Sequence, residues 1–87
     1  MNFKAKVFVG LRENVSDSAG NAVRANLHRV ADIRNCSRLR LGKCIDIHFE
    51  APDMEHAKRE LAKASDMLFA NTVIEDWSYE LLECEPE

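Results

Sequence analysis

Arg38-Leu39-Arg40-Leu41-Gly42-Lys43-Cys44-Ile45-Asp46-Ile47-His48-Phe49 alternates on either side of Gly42-Lys43. Leu39 and Leu41 point one way before that break, and Ile45, Ile47 and Phe49 point the same way after it. Arg38 and Arg40 oppose them, as do Asp46 and His48. Side chains in a strand change face at every residue, so this pattern predicts two half-buried strands joined by a hairpin. Parity sets the register. A two-residue loop would put Leu41 opposite Cys44 and mix the faces. A three-residue loop, Gly42-Lys43-Cys44, puts Leu41 opposite Ile45 and Leu39 opposite Ile47. It also puts Arg40 opposite Asp46, an opposite-charge cross-strand pair. Gly42 then begins a bulged turn that takes a positive φ.

Upstream, Phe3, Ala5, Val7, Val9 and Leu11 alternate with Lys4, Lys6, Phe8 and Gly10, which predicts a first strand. Asn14-Val15-Ser16-Asp17 reads as a turn, with Asp17 as the helix N-cap. Ala19, Ala22, Val23, Leu27 and Val30 follow at helical spacing, with Arg24, His28 and Arg29 off that stripe. Gly20 in the first turn costs the helix some stability. Downstream, Pro52-Asp53 opens a second helix, with Asp53 and Glu55 at its positive end. Its stripe is Met54, Ala57, Leu61, Ala64 and Leu68. Glu55 and Arg59 are spaced for an ion pair, and Asn71 suits the left-handed position that ends a helix. Trp77, Tyr79 and Leu81 then alternate with Ser78 and Glu80 in a last strand.

The predicted order is β-α-β-β-α-β. It implies an α+β, ferredoxin-like sandwich: a four-stranded antiparallel sheet, strand order 4-1-3-2, with both helices on one face. Eighty-seven residues make one domain, 1–87. Such a chain buries roughly two-thirds of its unfolded surface, enough for one small core. The face without helices is expected to carry Lys4, Lys6, Phe8, Arg38, Arg40, Asp46, His48, Ser78 and Glu80. Two edge strands, one holding Trp77, Tyr79 and Leu81, predict a homo-oligomer, a dimer at least.

Composition excludes several classes. The net charge of -3 argues against nucleic-acid and anionic-membrane partners. Lys4 and Lys6 interrupt the N-terminal apolar residues, so no signal peptide is expected, and no apolar run reaches spanning length. Cys36, Cys44 and Cys84, without C-x-x-C spacing, fit reduced thiols and a cytoplasmic chain. His28, His48 and His56 fall on different elements and predict no metal site. Glu75 and Asp76 are neighbours on a strand and point apart, so they read as cap or contact groups rather than an acid–base pair. No serine sits in a nucleophile elbow. An RNA-binding version of the fold would need aromatics where Asp46 and His48 stand.

The residues carry a resemblance. Val9-Gly10-Leu11-Arg12 leads to Val15, Asp17 and Gly20; Leu27-His28 follows, then Arg40-Leu41-Gly42-Lys43 with Ile45 and Ile47. Ala70-Asn71-Thr72-Val73-Ile74-Glu75-Asp76-Trp77 closes the series. From about Lys6 to Leu81 the chain resembles the PurS family, the small subunit of phosphoribosylformylglycinamidine synthase in purine biosynthesis. It departs from the family where Asn14 and Ala31 replace glycine and where Ser18 and Thr72 replace proline. The resemblance implies a subunit that is not catalytic alone and holds no cofactor. It would bridge a PurL-type synthetase subunit and a PurQ-type glutaminase subunit and support ammonia transfer, while the complex uses ATP and magnesium. It also implies self-association as a dimer or tetramer. The contact candidates are Arg12, Asn14, Asp17, Arg40, Gly42 and Lys43. Two rival classes are a small dimeric cofactor-independent oxygenase, with a pocket lined by His48 or His28, and a ligand-sensing regulatory module. For the oxygenase, Leu27, Leu61, Leu68 and Phe49 are expected to fill the space a substrate would need.

Overall fold

The computed structural model describes residues 1–86. Strand β1 (Asn2–Leu11) is the centre of a three-stranded antiparallel sheet, with β2 (Gly42–Glu50) on one side and β3 (Glu75–Cys84) on the other. Helix α1 (Ser18–Val30) follows β1, and helix α2 (Met54–Ala64) joins β2 to β3. A π-helical turn, Ser65–Phe69, extends α2. The α+β class and the central place of the first strand agree with the sequence reading.

The core is the expected face of β1. Phe3, Ala5, Val7 and Val9 are buried, and Ala57 and Leu61 of α2 close over them. Ile45, Ile47 and Phe49 of β2 pack against this cluster from one side, and Trp77, Tyr79 and Leu81 of β3 from the other. Phe3 and Phe49 stack with ring centroids 5.8 Å apart. The opposite face holds Lys4, Lys6, Phe8, Asp46, His48, Ser78 and Glu80 as expected. Lys6 stands between Asp46 and Glu80 in register, so opposite charges meet across both ladders.

The expected hairpin does not form, and the sheet has three strands rather than four. Gly42, Lys43 and Cys44 are not a loop. They pair with Gly10, Val9 and Phe8 as the first rungs of β2. No glycine has a positive φ, so the bulged turn is absent. Residues 31–41 run extended instead, back along α1. Arg24 Nε donates to the Cys36 carbonyl at 2.6 Å, and the Leu41 N–H donates to Asp17 Oδ2 at 2.8 Å. Two points of this segment, the Cys36 carbonyl and the Leu41 N–H, are thus held by α1 and its cap. Arg38 and Arg40 are not in the ladder but border its Gly10 end beside Phe8, and Asp46 opposes Lys6 rather than Arg40.

Four smaller expectations also change. Helix α1 does not cover the sheet: Gly20 is its one buried residue, and Val30 is 86% exposed. Asp53 is the N-cap of α2, accepting from the His56 N–H at 2.7 Å, so Pro52 lies outside the helix. Arg59 lies 2.9 Å from His56 Nδ1, a contact the Glu55 spacing did not indicate. Asn71 is not left-handed. It accepts from the Val73 N–H through its own side chain, a local Asx turn. The positive φ, 56°, is at Asn35, where the extended segment turns.

Candidate functional site

The six contact candidates fall into two segments, 12–17 and 40–43, and the fold brings those segments together. Asp17 is the knot. As the N-cap of α1 it accepts from the Gly20 N–H at 2.8 Å through Oδ1. Its other oxygen takes the Leu41 N–H. One carboxylate therefore ties the start of α1 to the end of the extended segment 31–41. The Gly20 N–H, then the Leu41 N–H, hold its carboxyl below the usual carboxylate range; burial opposes them and the Arg40 charge adds to them. Gly20 is now explained. A Cβ there would stand 2.5 Å from Asp17 Oδ2 and 3.0 Å from the Leu39 carbonyl oxygen, so a side chain would have to displace the Asp17 carboxylate.

Arg40 completes the knot from the other segment. Its Nη2 donates to the Arg12 carbonyl at 2.9 Å and the Val15 carbonyl at 2.8 Å. A planar guanidinium suits two converging carbonyls, which a lysine ammonium would hold less rigidly. Arg12 faces away from this bond. Its guanidinium donates to the Thr72 carbonyl and lies 3.5 Å from Asp76. Arg12 therefore locks the 12–17 turn to the loop that begins β3. Arg38 pairs with Glu13 across the same junction.

Gly42 is placed by close approach, not by turn geometry. A Cβ there would stand 2.7 Å from the Val9 carbonyl oxygen. Gly42 faces Gly10 across the ladder, so the sheet end is bare backbone. Asn14 and Lys43 are exposed. A cleft of about 560 Å³ opens here, bordered by Phe8, Gly10, Arg38, Arg40, Lys43 and Asp76.

Sequence reasoning did not find the partners of Arg12 and Arg38. Thr72, Asp76 and Glu13 lie far off in the chain or carry no local signal. The reading of Glu75 and Asp76 as separate contact groups agrees with the structure. Glu75 accepts from the Asn71 N–H at 2.7 Å, and Asp76 meets Arg12.

The chemistry of this junction is anchoring and charge display. Among the described residues no group of three His, Cys, Asp or Glu is placed to hold a metal ion, and no helix is long and apolar enough to cross a membrane. His48 lies on the helix-free face, 3.4 Å from Asp46, and His28 lies on α1. Neither borders a space between sheet and helix, as the oxygenase reading required. Two of the four residues expected to fill that space, Leu27 and Leu68, sit elsewhere. Leu68 is 78% exposed and Leu27 lies on the unpacked α1.

Fold and junction together define a small α+β module whose charged loops are pinned by side-chain bonds to backbone groups. The family model for PurS, described as phosphoribosylformylglycinamidine (FGAM) synthase, matches residues 4–83. The chain belongs to the PurS family. It is 38% identical over 80 residues to the Synechocystis protein named phosphoribosylformylglycinamidine synthase subunit PurS, covering 92% of this chain and 79% of that one. The Bacillus subtilis subunit of the same name is 36% identical over 83 residues, covering 93% and 94%. Among solved structures, a chain of PurLQS from Thermotoga maritima superposes with a TM-score of 0.85 at 32% identity, covering 94% of this chain and 99% of that one.

Proposed function

We propose that this chain is the PurS subunit of a glutamine-dependent phosphoribosylformylglycinamidine synthase in de novo purine biosynthesis. It works as a non-catalytic accessory subunit in the cytoplasm, joining a PurL-type synthetase to a PurQ-type glutaminase and supporting ammonia transfer between them. ATP and magnesium serve the complex and not this chain. The observation that carries the reading is the full-length match to a chain of the Thermotoga PurLQS structure. The junction is compatible with it: it offers rigid charged loops and no nucleophile with a base beside it.

The six candidates divide into two roles. Asp17, Arg40 and Gly42 hold the loops in place, and Arg12 serves the same end. Lys43 and Asn14 are free to face a partner. Lys43→Glu is therefore expected to weaken assembly with the two larger subunits while the isolated fold stays intact. Surface charges act mostly through association rate, so the defect deepens at raised ionic strength. Arg12→Glu is expected to damage the isolated chain as well, because it severs Thr72 and Asp76. Co-purification of tagged chain with the two subunits at two salt concentrations checks this. Undiminished recovery of Lys43→Glu at both would remove Lys43 from the interface.

The chain also self-associates in this reading, as a dimer or tetramer. Residues 38–41 keep the alternation of a strand yet cannot turn back on β2, whose first rungs the turn would consume. Such a segment finds a ladder only on an edge supplied by another copy. The fourth strand of the ferredoxin-like sheet is completed in that assembly.

A further inference from the structure

We infer that Arg12 couples two loops of the chain, so that a contact made on residues 38–43 alters how the 71–75 loop presents Val73, and the reverse. The coupling is a property of the single chain and does not depend on which protein makes the contact.

Arg12 is divided between the two loops. Its N–H donates to the Ile74 carbonyl at 2.9 Å. Its guanidinium donates to the Thr72 carbonyl and lies 3.5 Å from Asp76. Its own carbonyl serves the other side, accepting from Arg40 Nη2 at 2.9 Å and from the Val15 N–H at 2.9 Å. The N–H and the carbonyl sit on two planar peptide groups, with only the φ and ψ of Arg12 between them. A shift that strains the bonds on one side therefore turns the groups on the other.

Both loops are knit closely enough to pass such a shift on. In the 71–75 loop the Asn71 carbonyl accepts from the Ile74 N–H at 3.0 Å and the Glu75 N–H at 2.7 Å, while Asn71 Oδ1 takes the Val73 N–H. On the other side Arg40 also reaches the Val15 carbonyl at 2.8 Å, and the buried Asp17 carboxylate holds the Leu41 N–H. Hydrogen-bonded sets of this kind carry coupling between sites, whereas a loose loop absorbs a shift locally.

Magnitude decides which bonds matter. The Arg12–Asp76 pair is exposed on both sides, 44% and 74%, and exposed pairs contribute little. The guanidinium bonds to carbonyls are charge-assisted and stronger than neutral ones, so the route runs from Arg40 through the Arg12 backbone and side chain to Thr72 and Ile74. What it controls is Val73, 82% exposed on the loop. Linkage makes the effect equal in both directions.

Amide exchange of the full chain, read residue by residue by NMR, tests the inference, with the buried Val7 as internal reference. Arg40→Ala is expected to speed exchange at Ile74 and Glu75 about fivefold or more relative to Val7, although Arg40 bonds to neither. Asn71→Ala, which opens the loop from the far side, is expected to speed exchange at Val15. It provides the same test should Arg40→Ala fail to fold. In an Arg12→Ala background, where the Thr72 link is gone, Arg40→Ala is expected to move Ile74 less. Unchanged Ile74 and Glu75 rates in Arg40→Ala, or an unchanged Val15 rate in Asn71→Ala, would overturn the coupling. Equal acceleration of Val7 would overturn it as well, by showing general unfolding. An Ile74 response that is the same with and without the Arg12 side chain would overturn Arg12 as the route.

Discussion

Asp17 joins three functions in one carboxylate: helix cap, clasp for the return segment and neighbour of Arg40. Its folded pKa lies below its ordinary 3.8. A depressed carboxylate stabilises the fold fully above its unfolded value and loses that contribution as pH falls through the folded one. Asp17→Ala is therefore expected to lower the melting temperature at neutral pH and to flatten the stability loss below pH 3.8. Asp17→Asn keeps a cap for Gly20 but replaces one acceptor with a donor facing Leu41, so it falls between the two. Thermal melts across an acid series check the order; equal melts for all three chains at pH 7 would sever the link between the clasp and stability. Gly42 belongs to the same scale. Gly42→Ala drives a methyl into the Val9 carbonyl and is expected to cost about 1–3 kcal/mol in urea denaturation, as overpacking does. Asp17 was legible as a cap, because capping chemistry is local. Gly42 was misread as a turn glycine, because a close approach from β1 leaves no mark in its neighbours.

At the scale of elements, three strands and two helices were legible from period alone. The hairpin was not formed, for a physical reason. Alternation over Arg38–Leu41 signals an extended segment but does not say what it pairs with. The strand β1 competes for Gly42–Cys44 and wins, gaining a full ladder from Asn2↔Glu50 to Gly10↔Gly42. A turn at those residues would forfeit its first rungs. The second helix shows the same limit. Its stripe was read at a constant helical period, which places Leu68 inside. The π-helical turn adds a residue, so Phe69 takes that place. Leu61→Ala is expected to cost about 2–5 kcal/mol, as large-to-small changes in a core do, while Leu68→Ala stays within about 0.5 kcal/mol, as exposed substitutions do. Equal losses in chemical denaturation would contradict the shifted register.

The whole molecule is extended. Its Cα radius of gyration is 16.6 Å, with extents of 49 × 29 × 15 Å. A compact chain of this length has a radius of about 12 Å. The excess comes from α1 and its extended return, which do not cover the sheet: Gly20 is the one buried residue of the helix. The candidate site was half legible: its six residues were named, and they do converge. What could not be read was the division between those that pin the loops and those left exposed. That division depends on Thr72, Asp76, Glu13 and Leu41, brought in by the fold. The central claim is that this PurS-family chain is needed by the synthase as an accessory subunit. Glutamine-dependent turnover by synthetase plus glutaminase, measured with and without this chain, tests it most directly. Turnover is expected only when all three are present, and none from this chain alone. Equal turnover with and without it, or turnover by this chain by itself, would contradict the account.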